Sequence, residues 1–278
     1  MMNLYTKTCM ECSSLITKRY STSFSMGIRC FHAKFREPIC AVYGFVRFAD
    51  EIVDTFHDYN KKELFERFKQ DTYLALEEKI SLNPVLHAFQ EVVYQYNIDR
   101  AHIDAFLYSM ELDLYQNTYN VNGYEEYIYG SAEVVGLMCL RVFCEGDDIK
   151  YQSLVLPARK LGAAFQKVNF LRDLKSDFDD RGRVYFPGVD FSNFNENSKR
   201  IIEEDIEEDF ERAYEGIIAL PEGARFGVYL AYIYYKKLFQ KIKNSPAATV
   251  AKSRIRVNDT HKLWLLAGTA VKVRLRML

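Results

Sequence analysis

The segment Gly162 to Phe178 reads GAAFQKVNFLRDLKSDF and has the pattern of a helix. It holds no Pro, no Gly after Gly162, and apolar Phe165, Val168, Phe170, Leu171 and Leu174 spaced among polar residues. Asn169, Asp173 and Asp177 fall at i, i+4 and i+8, so the three oxygen-bearing side chains stack on one face with about 6 Å of rise between neighbours. Gln166 lies one turn earlier on the same side. Two carboxylates one turn apart repel each other, and more so when buried. Such a row on an otherwise apolar helix calls for a cation. Mg²⁺ suits it, with Mn²⁺ as the alternative, because hard divalent ions take oxygen ligands and share phosphate oxygens of a substrate.

The row does not suffice alone. With 38 Asp and Glu in 278 residues, chance supplies about five acidic pairs at i, i+4, most of them on solvated faces. A second row elsewhere raises its significance. From Pro38 to His57 the chain is largely apolar, and Tyr43, Arg47, Asp50 and Asp54 recur on one helical stripe. Two such helices facing each other across a cavity could grip metal ions and share a diphosphate. Arg47 is placed to take the remaining phosphate oxygens, as are Arg181 and Arg183 just beyond the first row.

The rest of the chain fits this frame. Helical periodicity dominates, no run alternates as strands do, and no linker or repeat divides the chain, so residues 1–278 read as one all-α domain. A short helix is expected over Leu4–Lys18, followed by the hydroxyl-rich Tyr20-Ser-Thr-Ser-Phe24-Ser25, which offers caps. Pro38 suits the first turn of the next helix. Helices are expected over Lys61–Lys79, from Pro84 to about Tyr96, from Arg100 through Leu114, over Tyr124–Phe143 and over Ala224–Lys243. The acidic stretch Glu203–Arg212 reads as a solvated face, since its acids surround the helix. The tail His261–Leu278 is apolar with basic residues and reads as either a core helix or a membrane-surface helix.

Composition bounds the class. Hydrophobic residues make up 49% and charged residues 27%, as in a soluble globular protein. A net charge of −1 gives no argument for a nucleic-acid partner. The 20 Tyr and 20 Phe suit a packed core, or a pocket that faces an oily or cationic guest. The six cysteines include a lone Cys9-x-x-Cys12 with no second pair at zinc spacing, and they read as free thiols. The start has no signal-peptide pattern, and the apolar runs Phe226–Tyr235 and Leu263–Val271 are about half a membrane span. A cytoplasmic enzyme is expected, with peripheral membrane contact for an oily product. Its oligomeric state is not legible.

Taken together, these motifs resemble the squalene and phytoene synthases, the head-to-head (1′–1) prenyltransferases. The resemblance covers about residues 12 to 265. It is carried by Tyr20-Ser-Thr-Ser-Phe24, Arg47-Phe-Ala-Asp50-Glu-Ile-Val-Asp54, Met110-Glu-Leu-Asp113, Tyr127-Ile-Tyr129-Gly130, Gln166-Lys-Val-Asn169-Phe-Leu-Arg172-Asp173-Leu-Lys-Ser-Asp177 and Gly182-Arg183-Val-Tyr185-Phe-Pro187. It implies an isoprenoid-synthase helical bundle around a central cavity. It also implies Mg²⁺ bound at Asp50, Asp54, Asn169, Asp173 and Asp177, with prenyl diphosphate as the partner. Arg47 and Arg172 fall at diphosphate-facing positions. Phe24 and Tyr129 match pocket residues near the reacting carbons, and Tyr235 matches a C-terminal tyrosine. Ser21, Tyr43, Gln166 and Arg183 complete the expected substrate contacts, and the four aspartates with Tyr129 the expected catalytic set.

Two positions depart from the family pattern. Thr22 stands where many members carry a basic residue, which leaves Lys18 or Arg19 to supply that contact. Glu133 stands in a segment that is usually small and Gly-containing, either outside the pocket or close enough to alter proton removal. Within the family, a bacterial-type phytoene synthase fits best, joining two geranylgeranyl diphosphates without a reductant. The alternative is a squalene, dehydrosqualene or presqualene diphosphate synthase that uses farnesyl diphosphate. A class I terpene cyclase commonly has Ser or Thr and Glu in its second row, unlike Asp173 and Asp177. A non-catalytic relative tends to lose the aspartates that all stand here.

Overall fold

The computed structural model describes residues 2–115, 120–181, 185–189 and 194–256, and among these there is no strand. The helices are α1 (Met2–Tyr20), α2 (Thr22–Arg29), α3 (Ala33–Asp54), α4 (Lys61–Glu78), α5 (Pro84–Tyr96), α6 (Arg100–Leu112), α7 (Val121–Ile128), α8 (Val134–Cys144), α9 (Asp148–Arg181), α10 (Glu196–Ala219), α11 (Glu222–Lys243) and α12 (Ala247–Val250). Between α7 and α8 a π turn spans Tyr129–Glu133.

Short polar side chains start half of these twelve helices. Ser21, Asn60, Asn83, Asp99, Asn120 and Asn195 each accept a hydrogen bond from a backbone N–H of the turn that follows. Three helices stop at a residue in the left-handed region: Lys79 (φ 58°), Asn97 (φ 52°) and Glu145 (φ 51°).

Both prolines inside helices overturn simple boundary rules. Pro38 does not open α3 but lies inside it, since the helix already begins at Ala33. The missing N–H removes one bond of the ladder, and burial of Phe35, Ile39, Val42 and Phe45 on the same helix outweighs that loss. Likewise α9 runs from Asp148, well before Gly162, and carries Pro157 within it. Gly216 of α10 makes room for this proline, because a Cβ there would stand 2.3 Å from the Pro157 ring.

Two apolar cores form. One gathers α1, α3, α4, α5, α6 and α8 around Phe45, Phe89 and Phe106. In this core Phe45 and Phe89 stack with centroids 3.9 Å apart. The other gathers α7, α9, α10 and α11 around Phe170, Phe210 and Leu238. The π turn and α8 run antiparallel to α9 in close contact, at Gly162, where a Cβ would meet the Ala132 carbonyl of the π turn at 2.7 Å, and at Gly136 of α8, 3.1 Å from the Ala158 carbonyl. This approach of small residues brings the two cores together along α9.

The acidic stretch of α10 is not simply a solvated face. Asp209 is fully buried and Glu203 is 6% exposed. Asp209 accepts hydrogen bonds from Lys160 and Lys167 of α9, both at 2.7 Å, and Glu203 pairs with the buried Lys199 at 2.5 Å. The all-round placement of acids put some of them inside, where lysines of α9 and of α10 itself neutralise them. All six cysteines are free. The stretch Val121–Cys144 is long and apolar enough to cross a membrane, but 61% of its apolar window is packed inside the fold. The tail His261–Leu278 lies outside the described residues.

Candidate active site

A cavity of about 530 Å³ lies between the two cores, walled by α2, α3, α8, α9, α10 and α11. On α9, Leu154, Ala158, Leu161, Phe165, Asn169 and Arg172 all face it. Their 3.6-residue period is that of one helical face. At about 1.5 Å of rise per residue they mark a wall about 27 Å long, apolar at Leu154 and polar at Asn169 and Arg172.

The polar end holds the expected residues. Ser21 faces the cavity, and its hydroxyl accepts the Phe24 N–H at 3.1 Å, which starts α2 there. Phe24 stacks on Tyr43 with centroids 4.9 Å apart, and both line the cavity. Opposite, Phe165 stacks on Tyr235 at 3.9 Å, and the Tyr235 hydroxyl donates to the Asn169 side-chain oxygen at 3.2 Å. Gln166 completes this wall. Burial pushes the Tyr43 and Tyr235 phenols above their ordinary value, against the pull of Arg47 on the first and Arg172 on the second. Both rings therefore face the cavity neutral.

Of the expected arginines and aspartates Arg172 lines the cavity, while Arg47, Asp50, Asp54, Asp173 and Asp177 are not among its lining residues and stand on the same two helices, α3 and α9. Arg47 hydrogen-bonds both Asp50 and Glu51, and its guanidinium lies over the Tyr20 ring at 4.5 Å. Burial lowers the Arg47 pKa, but the two carboxylates more than offset this and the net shift is upward. Arg172 donates to both oxygens of Asp173, at 3.0 and 2.5 Å. Asp54 closes α3, and Asp177 is buried at 5% exposure.

Sequence reasoning missed Arg254, whose Nε lies 2.7 Å from the Asp173 carboxylate. Arg172, Asp173, Lys175, Ser176, Asp179 and Arg254 together line a polar hollow of about 250 Å³. No motif includes Arg254, and it stands 81 positions from its partner, so only the fold could reveal it. Arg183 lies outside the described residues.

Donor chemistry at the rim fits Mg²⁺. The five expected ligands offer only oxygen. Among the described residues no three His, Cys, Asp or Glu side chains cluster closely enough to enclose a metal. Oxygen is the donor that Mg²⁺ takes, and such an ion needs only one or two protein carboxylates when water and phosphate oxygens complete its shell. The adjacent guanidiniums supply the charge that such an anion needs.

Tyr129 departs from expectation. It is not among the residues lining the cavity, and its ring lies under the Arg159 guanidinium at 5.1 Å. The reason is local: the π turn begins at Tyr129 and adds a residue to the turn, which rotates the following positions by about 100°. Ser131 and Ala132 face the cavity instead. The π turn also settles the place of Glu133, which stays off the cavity wall and accepts from Arg159 Nε at 2.5 Å. Thr22, Lys18 and Arg19 are all exposed. Tyr127, two residues before Tyr129, is buried and donates to Asp113 at 2.9 Å.

Comparison with known proteins identifies the setting. A family model described as squalene/phytoene synthase matches residues 17–261. A phytoene synthase of Arthrospira platensis is 26% identical over 258 residues, covering 83% of this chain and 82% of its own. A 4,4'-diapophytoene synthase of Staphylococcus haemolyticus is 25% identical over 197 residues, covering 68% and 66%. The crystal structure of a dehydrosqualene synthase in complex with ligand matches with a TM-score of 0.82 at 22% identity, over 97% of this chain and 98% of that one. A squalene synthase of Alicyclobacillus acidocaldarius matches at 0.75 and 16% identity, over 86% and 95%.

Proposed function

The chain belongs to the squalene/phytoene synthase family, and on that premise we propose that it joins two geranylgeranyl diphosphates into phytoene, without a reductant. Head-to-head prenyl condensation is the family's chemistry, and the chain is a prenyltransferase. The observation that carries the C20 reading is the depth of the cavity. The cavity is lined on α3 from Ile39 to Val46, and along α9 from Leu154 to Arg172 its wall is about 27 Å long. An extended geranylgeranyl tail is about 19 Å long and a farnesyl tail about 14 Å, taking about 1.25 Å of advance per carbon–carbon bond. The longer tail covers more of that wall, whereas the shorter one leaves more of its apolar surface without partners.

The reaction proceeds in two ionisations. The C1–O bond of the first substrate breaks, and diphosphate leaves with the electron pair. The C2=C3 double bond of the second substrate attacks the allylic C1 cation, and loss of a C1 proton closes a cyclopropane. That cyclopropyl-carbinyl diphosphate ionises in turn, rearranges to the 1–1′ bond and loses a proton to give the central double bond. Arg47 and Arg172 hold and neutralise the diphosphate oxygens. The paired rings Phe24–Tyr43 and Phe165–Tyr235 present π faces to the cations, worth about 0.5–2 kcal/mol each. Apolar walls keep water from quenching them. Mg²⁺, held by Asp50 and Asp54 on α3 and by Asn169, Asp173 and Asp177 on α9, supplies Lewis-acid neutralisation of the leaving group when bound. Mn²⁺ is the alternative ion. We place the enzyme in the cytoplasm, with contact at the membrane surface for release of the C40 hydrocarbon.

The test is product analysis with Mg²⁺, geranylgeranyl diphosphate and no NADPH. A C40 hydrocarbon with three conjugated double bonds is expected. Exclusive turnover of farnesyl diphosphate to a C30 product would overturn the C20 reading. Asp50→Ala and Asp173→Ala should each abolish turnover with helical content intact, and wild-type rates in either would overturn the metal assignment.

A further inference from the structure

Asp173 of α9 meets two guanidiniums. Arg172, its neighbour in the chain, donates to both carboxylate oxygens, at 3.0 and 2.5 Å. Arg254, from the segment after α12, places Nε 2.7 Å from one of these oxygens and Nη2 3.4 Å from the other. A carboxylate offers about four lone-pair sites, and these four N–O contacts take them up. Mg²⁺ binds a carboxylate through the same lone pairs. Asp173 therefore takes a metal ion only as a guanidinium withdraws.

The two arginines differ in how easily they withdraw. Arg172 is 21% exposed and lines the apolar cavity. Arg254 is 48% exposed and borders the polar hollow of about 250 Å³. The backbone that carries Arg254 is held on both sides. Val250 and Ile255 are buried, the Ser253 N–H donates to the Thr249 carbonyl at 3.0 Å, and Lys241 Nζ donates to the Arg256 carbonyl at 2.6 Å. The guanidinium of Arg254 can thus leave Asp173 by a change of side-chain rotamer while the segment stays in place. Lys175 lines the same hollow but pairs with Asp179, one turn further along α9.

We propose that Arg254 competes with Mg²⁺ for the Asp173 carboxylate and so makes metal binding depend on diphosphate. The proposal rests on the reading of Asp173 as a metal ligand. A metal ion that arrives alone must break the Arg254 contact, and the guanidinium loses its anion. A metal ion that arrives with diphosphate brings new negative charge for the guanidiniums beside it, so the exchange carries little penalty. Coupling of this kind is reciprocal: the factor by which diphosphate tightens the metal is the factor by which the metal tightens diphosphate. The ion is then held firmly only when a leaving group is present for it to neutralise.

The experiment titrates Mn²⁺ into the enzyme without diphosphate and follows the ion by its paramagnetic resonance signal, with melting curves to confirm folding. Arg254→Gln should bind Mn²⁺ about 1.5- to 5-fold more tightly than wild type, the range set by a partly exposed ion pair. Lys175→Gln removes the same charge from the hollow without freeing Asp173, and it should change the affinity by less. The gain should vanish in Arg254→Gln/Asp173→Ala. With saturating inorganic diphosphate present at equal concentration, the advantage of Arg254→Gln over wild type should disappear or reverse. Equal affinity in wild type and Arg254→Gln, an equal gain in Lys175→Gln, or an advantage that persists with diphosphate would overturn the proposal. Mn²⁺ binding that Asp173→Ala leaves unchanged in every background would instead overturn the metal reading of Asp173, and the competition with it.

Discussion

Replacing Asp209 by Asn tests how α9, which carries Asn169, Asp173 and Asp177, is held in place. Asp209 is fully buried on α10 and takes Lys160 and Lys167 at 2.7 Å each. Lys160 is 34% exposed and can turn to water, but Lys167 is only 9% exposed. Burial pulls the Lys167 pKa down, and Asp209 and Asp205 more than offset it, so the ammonium stays charged. Removing the Asp209 charge leaves Lys167 with Asp205 alone, 2.5 Å away and 51% exposed. Breaking a buried pair costs about 3–5 kcal/mol; the remaining partner and the Asn carbonyl place this case near about 3 kcal/mol. For a chain of this size that lowers Tm by roughly 6–12 °C. Thermal melts followed by circular dichroism at pH 7 measure it, with turnover per folded molecule at low temperature as the companion. Combining Asp209→Leu with Lys167→Met should recover most of the loss, because two apolar side chains carry no desolvation cost. An Asp209→Asn protein melting within about 2 °C of wild type would refute the reasoning.

Two further outcomes follow from the same packing. Glu133→Gln should leave kcat and product unchanged within about twofold, because Glu133 meets Arg159 away from the cavity; with Arg159 42% exposed, the pair is worth under about 1 kcal/mol, or a Tm change below about 4 °C. Burial holds the His87 and His102 rings below their ordinary 6.5. Their contribution is complete above pH 6.5 and is lost as pH falls toward the folded-state values, where the unfolded chain binds protons first. Tm should therefore drop between pH 7 and pH 5 by more in wild type than in His87→Gln/His102→Gln, and equal drops would exclude the two rings as the cause.

Local patterns carried most of the helices. Asn83-Pro84 and Asp99 start α5 and α6 at the expected residues, because a cap acts on the turn beside it. The stripes Tyr43–Arg47–Asp50 and Gln166–Asn169–Asp173 were legible for the same reason: helical period alone places such residues on one side. Residues whose position depends on a distant helix were not legible. Pro38 and Pro157 sit inside helices because neighbouring packing compensates the lost bonds, through Gly216 in the case of Pro157. Tyr129 left the cavity because a π turn shifted the phase that an unbroken helix would have kept.

The amino-acid sequence by itself determined the all-α class, the two acidic rows and the arginines beside them, since each is a matter of residue type and short spacing. Only the tertiary structure decided which acids are buried, that Arg254 reaches Asp173, and that Phe31 and Phe143 meet on the cavity wall. Those facts join residues from different parts of the chain. They arise from how helices pack, with glycines at 136 and 162 letting backbones approach and those at 216 and 227 making room for the Pro157 and Phe31 rings, and no local period encodes that distance.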